Sequence, residues 1–400
     1  MNPLWDKLRG LLGAEYVPEI VPADYTVDGV LPRALVQPRS QEGVARFVEW
    51  AHGHFHHLIP RGGGTAMAVG NIPRNHEITL SLTRLNRIVE YTPEDMTVTV
   101  EAGLTLVELQ QHLAQHGQFL PVEAPPRATI GGIIACNTYG PSRLAWGLIR
   151  DWLIGIRFVR GDGKLIHGGG KVVKNVAGYD LCKLLVGSHG TIGIIVEATF
   201  KVAPLPAARF FCVTNLQHLP MINASPVRLQ FVELLNPPAC HDFGVQAQGA
   251  DTLLVGVSGT REEVEWQANQ LATKQIELDP CSLTRFGENE AVLLRFVGQQ
   301  SEFNQLRKQL VETFDTRLKM VAHANLCVVR CTVPASPTLP EIIQRFRTRF
   351  QVRVERAPVE LKKPLDVWGD PGTSLPLMKK LKQELDPRGI LSPGRFVGGI

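Results

Sequence analysis

Pro60-Arg61-Gly62-Gly63-Gly64-Thr65, with Gly70 beyond it, is the stretch on which the fold of this 400-residue chain turns. Three consecutive glycines let the backbone bend tightly with no Cβ in the way. Successive N–H groups can then converge on one anion. Thr65 adds a hydroxyl donor and Arg61 a nearby positive charge, so a pyrophosphate is the natural guest; the bland alternative is a flexible turn. It is not a Walker loop, because no Gly-Lys-Ser/Thr follows. It is not a Rossmann fingerprint, because Met67 occupies the last glycine position.

Two more glycine segments follow. In Ala128-Thr129-Ile130-Gly131-Gly132, continuing through Asn137 to Gly140, the glycines allow the backbone to approach a flat ring. Asn137 and Thr138 offer hydrogen bonds to its polar edge. A glycine-kinked start of a buried helix is the alternative. Later come Lys174-Asn175-Val176-Ala177-Gly178-Tyr179-Asp180 and Gly187-Ser188-His189-Gly190-Thr191-Ile192-Gly193, a tight loop feeding a buried strand.

Around these loops the periodicity predicts a helix over 41–52, strands at 77–82 and 97–100, and a helix over 105–116. Strands at 154–160 and 164–167 flank Gly161-Asp162-Gly163, a hairpin signal. A strand at 192–202 ends at Pro204 and Pro206. Beyond 207 strands (229–234, 253–257, 326–333) alternate with helices (262–272, 303–314, 341–350), which suggests a separate α+β layer. Leu4, Leu8, Leu11 and Leu12 form an apolar stripe, read as docking on the chain's own domain rather than on a partner or membrane. The division expected is an N-terminal extension (1–24), a first domain (25–206, two subdomains of about 25–100 and 101–206), a cap (207–355) and a returning tail (356–400).

Hydrophobic residues make up 44% and charged residues 20%, the profile of a globular protein. A net charge of +4 without a Lys/Arg block excludes a nucleic-acid reading. No apolar run is long enough to span a membrane, and Asp6, Lys7 and Arg9 break up the N-terminal stretch, so a cytoplasmic chain is expected. Seven scattered cysteines without a Cys-x-x-Cys argue against a disulfide framework and against cluster or zinc ligation. Cys327 and Cys331 are read as buried thiols. His52, His54, His56 and His57 invite a metal, but solvated helix-end histidines are the plainer reading, so no metal is expected.

Together the three glycine segments resemble the p-cresol methylhydroxylase/vanillyl-alcohol oxidase family of FAD-binding proteins, over about 25–206 and again at 386–395. The resemblance implies an α+β fold: a two-subdomain FAD-binding part and a separate α+β cap. It implies that Pro60, Arg61, Gly62, Gly63, Gly64, Thr65 and Gly70 hold the FAD pyrophosphate. Thr129, Gly131, Gly132, Asn137 and Gly140 would lie along the cofactor, and Gly190, Ile194 and Ile195 would reach it from the last loop and strand. Non-covalent FAD is expected, because no His or Cys stands in the first loop or shortly before Gly131. Within the family, 174–180 and Leu391-Ser392-Pro393-Gly394-Arg395 look like the FAD-binding subunits of bacterial glycolate oxidases. Those work beside a second flavoprotein subunit and an iron–sulfur subunit, converting glycolate, and often D-lactate, to the 2-oxo acid. Peripheral membrane association through such partners would follow. Here Ser392 replaces a frequent Asn, and His189 a frequent Glu.

Oxidising a small 2-hydroxy acid needs a base, a cation for the carboxylate and a hydride acceptor. Stand-alone relatives carry a histidine-rich cluster in the cap; this chain has only His323-Ala324-Asn325 there. His323 and His189 are therefore the two catalytic candidates. Two other readings stay open: a stand-alone FAD oxidoreductase for a sugar lactone or alditol, and a non-catalytic FAD-binding subunit.

Overall fold

The computed structural model of the chain describes residues 3–171, 179–271 and 273–400. They divide into two units. Met1–Thr138, Leu148–Pro204 and Asp370–Ile400 form the first; Tyr139–Gly147 and Leu205–Gly369 form the second.

In the first unit, Ala34–Val36, Ile78–Ser81 and Leu58–Arg61 make a parallel sheet with Ile78–Ser81 in the middle. Its strands are buried almost throughout, as strands of a parallel sheet are when both faces are covered. Helix Gln41–His54 packs here through Val44, Phe47, Val48 and Ala51. Ser40 caps it, accepting from the Gly43 N–H at 3.0 Å, and left-handed Phe55 ends it. Helix Pro3–Leu12 adds Leu4 and Leu8 to the same core, so the N-terminal stripe docks on its own unit.

A second, antiparallel sheet runs in the order Ile88–Thr92, Thr97–Glu101, Ile194–Lys201, Leu153–Val159, Leu165–Gly169. This corrects the expected subdomain boundary near residue 100. Thr97–Glu101 pairs with Ile194–Lys201 from Thr97↔Lys201 to Glu101↔Glu197, so the two sheets part before Ile88.

The chain's last segment completes the parallel sheet. The Leu58 N–H donates to the Ile390 carbonyl, and the Ser392 N–H donates to the Leu58 carbonyl, both at 2.8 Å. Fully buried Asp386 fixes this return by accepting from the N–H groups of Ile390 (3.1 Å) and Leu391 (2.8 Å) and from Lys382 Nζ (2.6 Å). Lys382 Nζ also donates to the carbonyls of Thr191 and Leu391. Residues 356–369, expected in this tail, belong instead to the second unit. There the Val354 N–H donates to the Val367 carbonyl at 2.8 Å, and Arg347 Nη2 donates to the Asp366 carbonyl at 2.7 Å.

Among the described residues the second unit is built on one antiparallel sheet. Its order is Lys274–Ile276, Ala208–Asn215, Thr252–Gly259, Leu229–Leu235, Lys319–His323, Val328–Thr332, Leu293–Val297, Gln351–Arg356. Helices Arg261–Leu271, Phe303–Phe314 and Leu339–Arg347 bury their apolar stripes on one face of it. Cys327 and Cys331 lie in that core, and burial pushes both thiols up. No described helix is long and apolar enough to cross a membrane.

One buried histidine in the first unit makes stability depend on pH. His76 is 4% exposed, with Nε2 2.8 Å from Thr79 Oγ1 and Nδ1 3.3 Å from the Val30 carbonyl. Burial lowers its pKa from 6.5 to about 4. The unfolded chain therefore protonates this ring near pH 6.5 while the native chain resists until about pH 4. The stability held by neutral His76 is complete above that window, falls as pH drops through it, and levels off below. Linkage puts the loss at roughly 3 kcal/mol. In denaturant melts at pH 7 and pH 5, His76→Gln is expected to show a smaller drop than the parent. An equal drop in both would remove His76 as the cause.

Candidate cofactor site

A cavity with about 830 Å³ of empty space lies in the first unit, and all three described glycine loops reach it. The first loop is shaped by what surrounds its glycines. A Cβ on Gly62 would strike Thr129 Oγ1, and one on Gly63 would strike the Arg127 carbonyl oxygen. Gly64 has φ +78, and a Cβ there would meet the Arg61 guanidinium at 2.6 Å. The N–H groups of Gly63, Gly64, Thr65 and Ala66 have no partner among the described residues. Successive unpartnered N–H groups of this kind are what an anion nest requires.

Arg61 does not serve as the free cation expected of it. Its Nη2 pairs with Asp24 Oδ2, its Nη1 donates to the Asp24 carbonyl, both at 2.9 Å, and its plane lies 3.9 Å over the Tyr25 ring. Its charge is already matched, and the side chain braces the loop from below Gly64. The cation that sequence reading missed is Arg395. Its Nη2 donates to the carbonyls of Met67 (2.8 Å) and Val69 (2.6 Å), holding the far end of the loop. Burial lowers its pKa, opposed by Asp28 at 3.6 Å.

Thr129 begins helix Ile130–Cys136 without capping it through its side chain. Its Oγ1 is buried, lines the cavity and has no hydrogen-bond partner, an atom that a bound group would satisfy. Gly131 also lines the cavity, but its lack of a side chain serves packing, since a Cβ would sit 2.8 Å from that of Ala102. In the third loop His189 (φ 51) and Gly190 (φ 67) are left-handed. The His189 N–H donates to the Ala135 carbonyl at 2.8 Å, its ring lies 5.6 Å from Phe396, and a Cβ on Gly190 would meet Pro60 at 2.6 Å.

Most of the expected cofactor residues come together here: Pro60, Arg61, Gly62, Gly63, Gly64, Thr65, Thr129, Gly131, Gly132, Gly190, Ile194 and Ile195 all line the cavity. Three do not. Gly70 (φ +116) is a turn closed against the Arg395 carbonyl. Asn137 (φ 49) ends the Ile130–Cys136 helix, its buried Oδ1 unpartnered. Gly140 belongs to the second unit. Residues 174–178 of the third motif lie outside the described residues. Met67, Cys136, Gly193, Ser392 and Arg395 line the cavity without having been singled out as contacts. For Ser392 and Arg395 the signal was the quoted tail motif itself.

The two catalytic candidates lie in different units. His189 lines the cavity, whereas His323 is on a strand of the second unit with Nδ1 bound to Glu233. Of the four clustered histidines, His54 stacks on Trp50 and His56 Nδ1 meets Glu77 Oε2 at 2.8 Å.

Four free N–H groups, an unpartnered hydroxyl and the apolar side chains of Ile59, Leu82, Ile194 and Ile195 fit a flavin dinucleotide: donors for its pyrophosphate, walls for its ring. Residues 32–169 match the FAD binding domain, and 370–396 match the C-terminal domain of FAD linked oxidases. The chain is an FAD-dependent oxidoreductase, and its first unit carries an FAD binding domain. It is similar to glycolate oxidase subunit GlcD of Bacillus subtilis, 27% identical over 92% of this chain and 89% of that protein. It is 43% identical to glycolate oxidase subunit GlcE of Escherichia coli over 133 residues, 32% of this chain and 38% of that protein. An alkyldihydroxyacetonephosphate synthase structure shares the fold, with a TM-score of 0.75 at 17% identity over 98% of this chain and 85% of that one.

Proposed function

We propose that this chain is the FAD-binding subunit of a dehydrogenase complex that oxidises a small 2-hydroxy acid, glycolate or D-lactate, to the 2-oxo acid. The observation that carries the reading is the cradle of residues 62–66, closed by Arg395, in a chain similar over 92% of its length to a glycolate oxidase subunit. The histidine-poor cap sequence supports a subunit rather than a self-sufficient enzyme.

Bound FAD supplies a two-electron hydride acceptor. The N–H groups of residues 63–66 take its pyrophosphate, and Arg395 keeps their loop in place through the Met67 and Val69 carbonyls. Thr129 Oγ1 orients the cofactor, and Ile194 and Ile195 keep water from it. Glu233, buried, grips His323 at Nδ1, which leaves Nε2 to hold or move a proton. A second flavoprotein subunit and an iron–sulfur subunit would carry electrons onward, at the inner face of a membrane or free in the cytoplasm.

The purified chain is expected to be yellow and to release its flavin on acid precipitation. Flavin retained in the pellet would mean a covalent bond, with Cys136 or His189 as the cavity residues able to form one. With glycolate and an artificial acceptor, the isolated chain is expected to turn over at least tenfold more slowly than the reconstituted complex. Equal rates, abolished by His189→Ala, would sink the subunit reading.

A further inference from the structure

The first unit has a second hollow, with about 560 Å³ of empty space against about 830 Å³ in the cofactor cavity. That lies within the usual range of small-molecule sites, roughly 300–1,000 Å³. Met378 and Leu381, one turn apart on helix Leu375–Leu385, line it. Leu184 and Ile192 join them from either side of the third glycine loop, and Phe396 from the returning tail. All five side chains are only half-buried. The loop is shared between the two hollows: Ser188 lines this one, whereas His189 and Gly190 line the cofactor cavity. The rings of Phe396 and His189, one from each hollow, lie 5.6 Å apart.

Ser188 is the polar feature of these apolar walls. It is 5% exposed, and its backbone is fully engaged. Its N–H donates to the Leu185 carbonyl at 3.2 Å, and its carbonyl accepts from the Thr191 N–H (3.0 Å) and from Thr191 Oγ1 (2.6 Å). Its own hydroxyl is buried and has no hydrogen-bond partner among the described residues. A buried hydroxyl left unpaired is costly. Water is a poor remedy, because an ordered water needs about two to four polar partners. The Thr191 hydroxyl is already spent on the Ser188 carbonyl, and the other lining side chains are apolar.

Charge narrows the occupant further. None of the lining side chains is ionisable, so a carboxylate or an ammonium would lose its water with no counter-charge in return. The Met378 thioether and the Phe396 ring favour an aromatic neighbour. We propose that this hollow binds a neutral aromatic molecule bearing a carbonyl, with the Ser188 hydroxyl donating to the carbonyl oxygen and the ring held by Met378, Leu381 and Phe396.

2-Acetylnaphthalene is the probe, with 2-naphthoate as its anionic counterpart and naphthalene as the ring alone. Equilibrium dialysis against the flavin-loaded chain is expected to show the ketone bound at least fivefold more tightly than naphthalene and at least tenfold more tightly than naphthoate. Ser188→Ala is expected to bring the ketone down to the affinity of naphthalene, which itself stays within twofold of its value in the parent. Leu381→Lys places a cation in the hollow and is expected to reverse the preference, so that naphthoate outbinds the ketone, a gain that a damaged fold does not produce. The flavin absorption band is expected to shift with the same midpoint as the dialysis, because the Phe396–His189 ring pair joins the two hollows. Equal affinity for the ketone in parent and Ser188→Ala, equal affinity for ketone and naphthoate in the parent, or a flavin band that ignores the ketone would each overturn the site. So would a parent that sediments as a dimer and is parted into monomers by Leu381→Lys, since a second copy of the chain would then be the occupant.

Discussion

Gly63→Val is expected to give a protein that folds but holds no flavin. The obstacle is backbone: a Cβ on Gly63 lands on the Arg127 carbonyl oxygen, which has no rotamer by which to move away. The loop must shift, and the N–H groups of residues 63–66 then no longer converge. Gly64→Asp acts differently. Its Cβ meets the end of the Arg61 side chain, which can yield, but φ +78 costs a non-glycine residue about 1–2 kcal/mol and the new carboxylate faces the pyrophosphate. Flavin affinity is expected to fall at least a hundredfold in the first variant and at least tenfold in the second. Gly53→Ala, in a helix with nothing within 4 Å of the new methyl, is the control that keeps its flavin. Flavin-to-protein ratio beside far-ultraviolet circular dichroism decides the matter. Full flavin content in a folded Gly63→Val would rule out this loop as the cofactor site.

Asp386→Ala is expected to cost about 3–5 kcal/mol, the range for breaking a buried ion pair by removing one partner. Two effects add. Lys382, whose pKa burial already lowers, is left as a buried ammonium without its carboxylate. The N–H groups of Ile390 and Leu391 lose their acceptor. The segment thus loosened carries Ser392 and Arg395 into the cavity, so flavin should leave at lower denaturant than in the parent. Asp386→Asn keeps one carbonyl oxygen and is expected to fall between. An unfolding free energy from urea melts within about 1 kcal/mol of the parent for Asp386→Ala would show that the tail is held elsewhere.

The sequence made the first unit legible because its constraints are local. A glycine that must adopt φ +78 or sit against a carbonyl has no substitute, so the loop announced itself. Helix Gln41–His54 did so through its apolar spacing. What remained hidden depends on long-range contact. Arg61 and Arg395 are both arginines beside glycines. Only the fold shows that Asp24 occupies the first while the second reaches two carbonyls. Strand Leu293–Val297 escaped notice because Arg295 interrupts its apolar run, and only the fold shows Leu294 and Phe296 in the core while that arginine stays out of it. Gly140 was placed with the cofactor by proximity in sequence to Gly132, but Tyr139–Gly147 departs into the second unit.

The bond from Arg395 to the Met67 carbonyl joins residues 328 positions apart. During synthesis, the glycine loop leaves the ribosome long before the residue that braces it. A nascent chain therefore has no finished pocket until Arg395 has been made, and flavin uptake follows that point rather than preceding it. A product cut short before Arg395 would be colourless, so the yellow colour reports that synthesis has reached the residue that braces the loop.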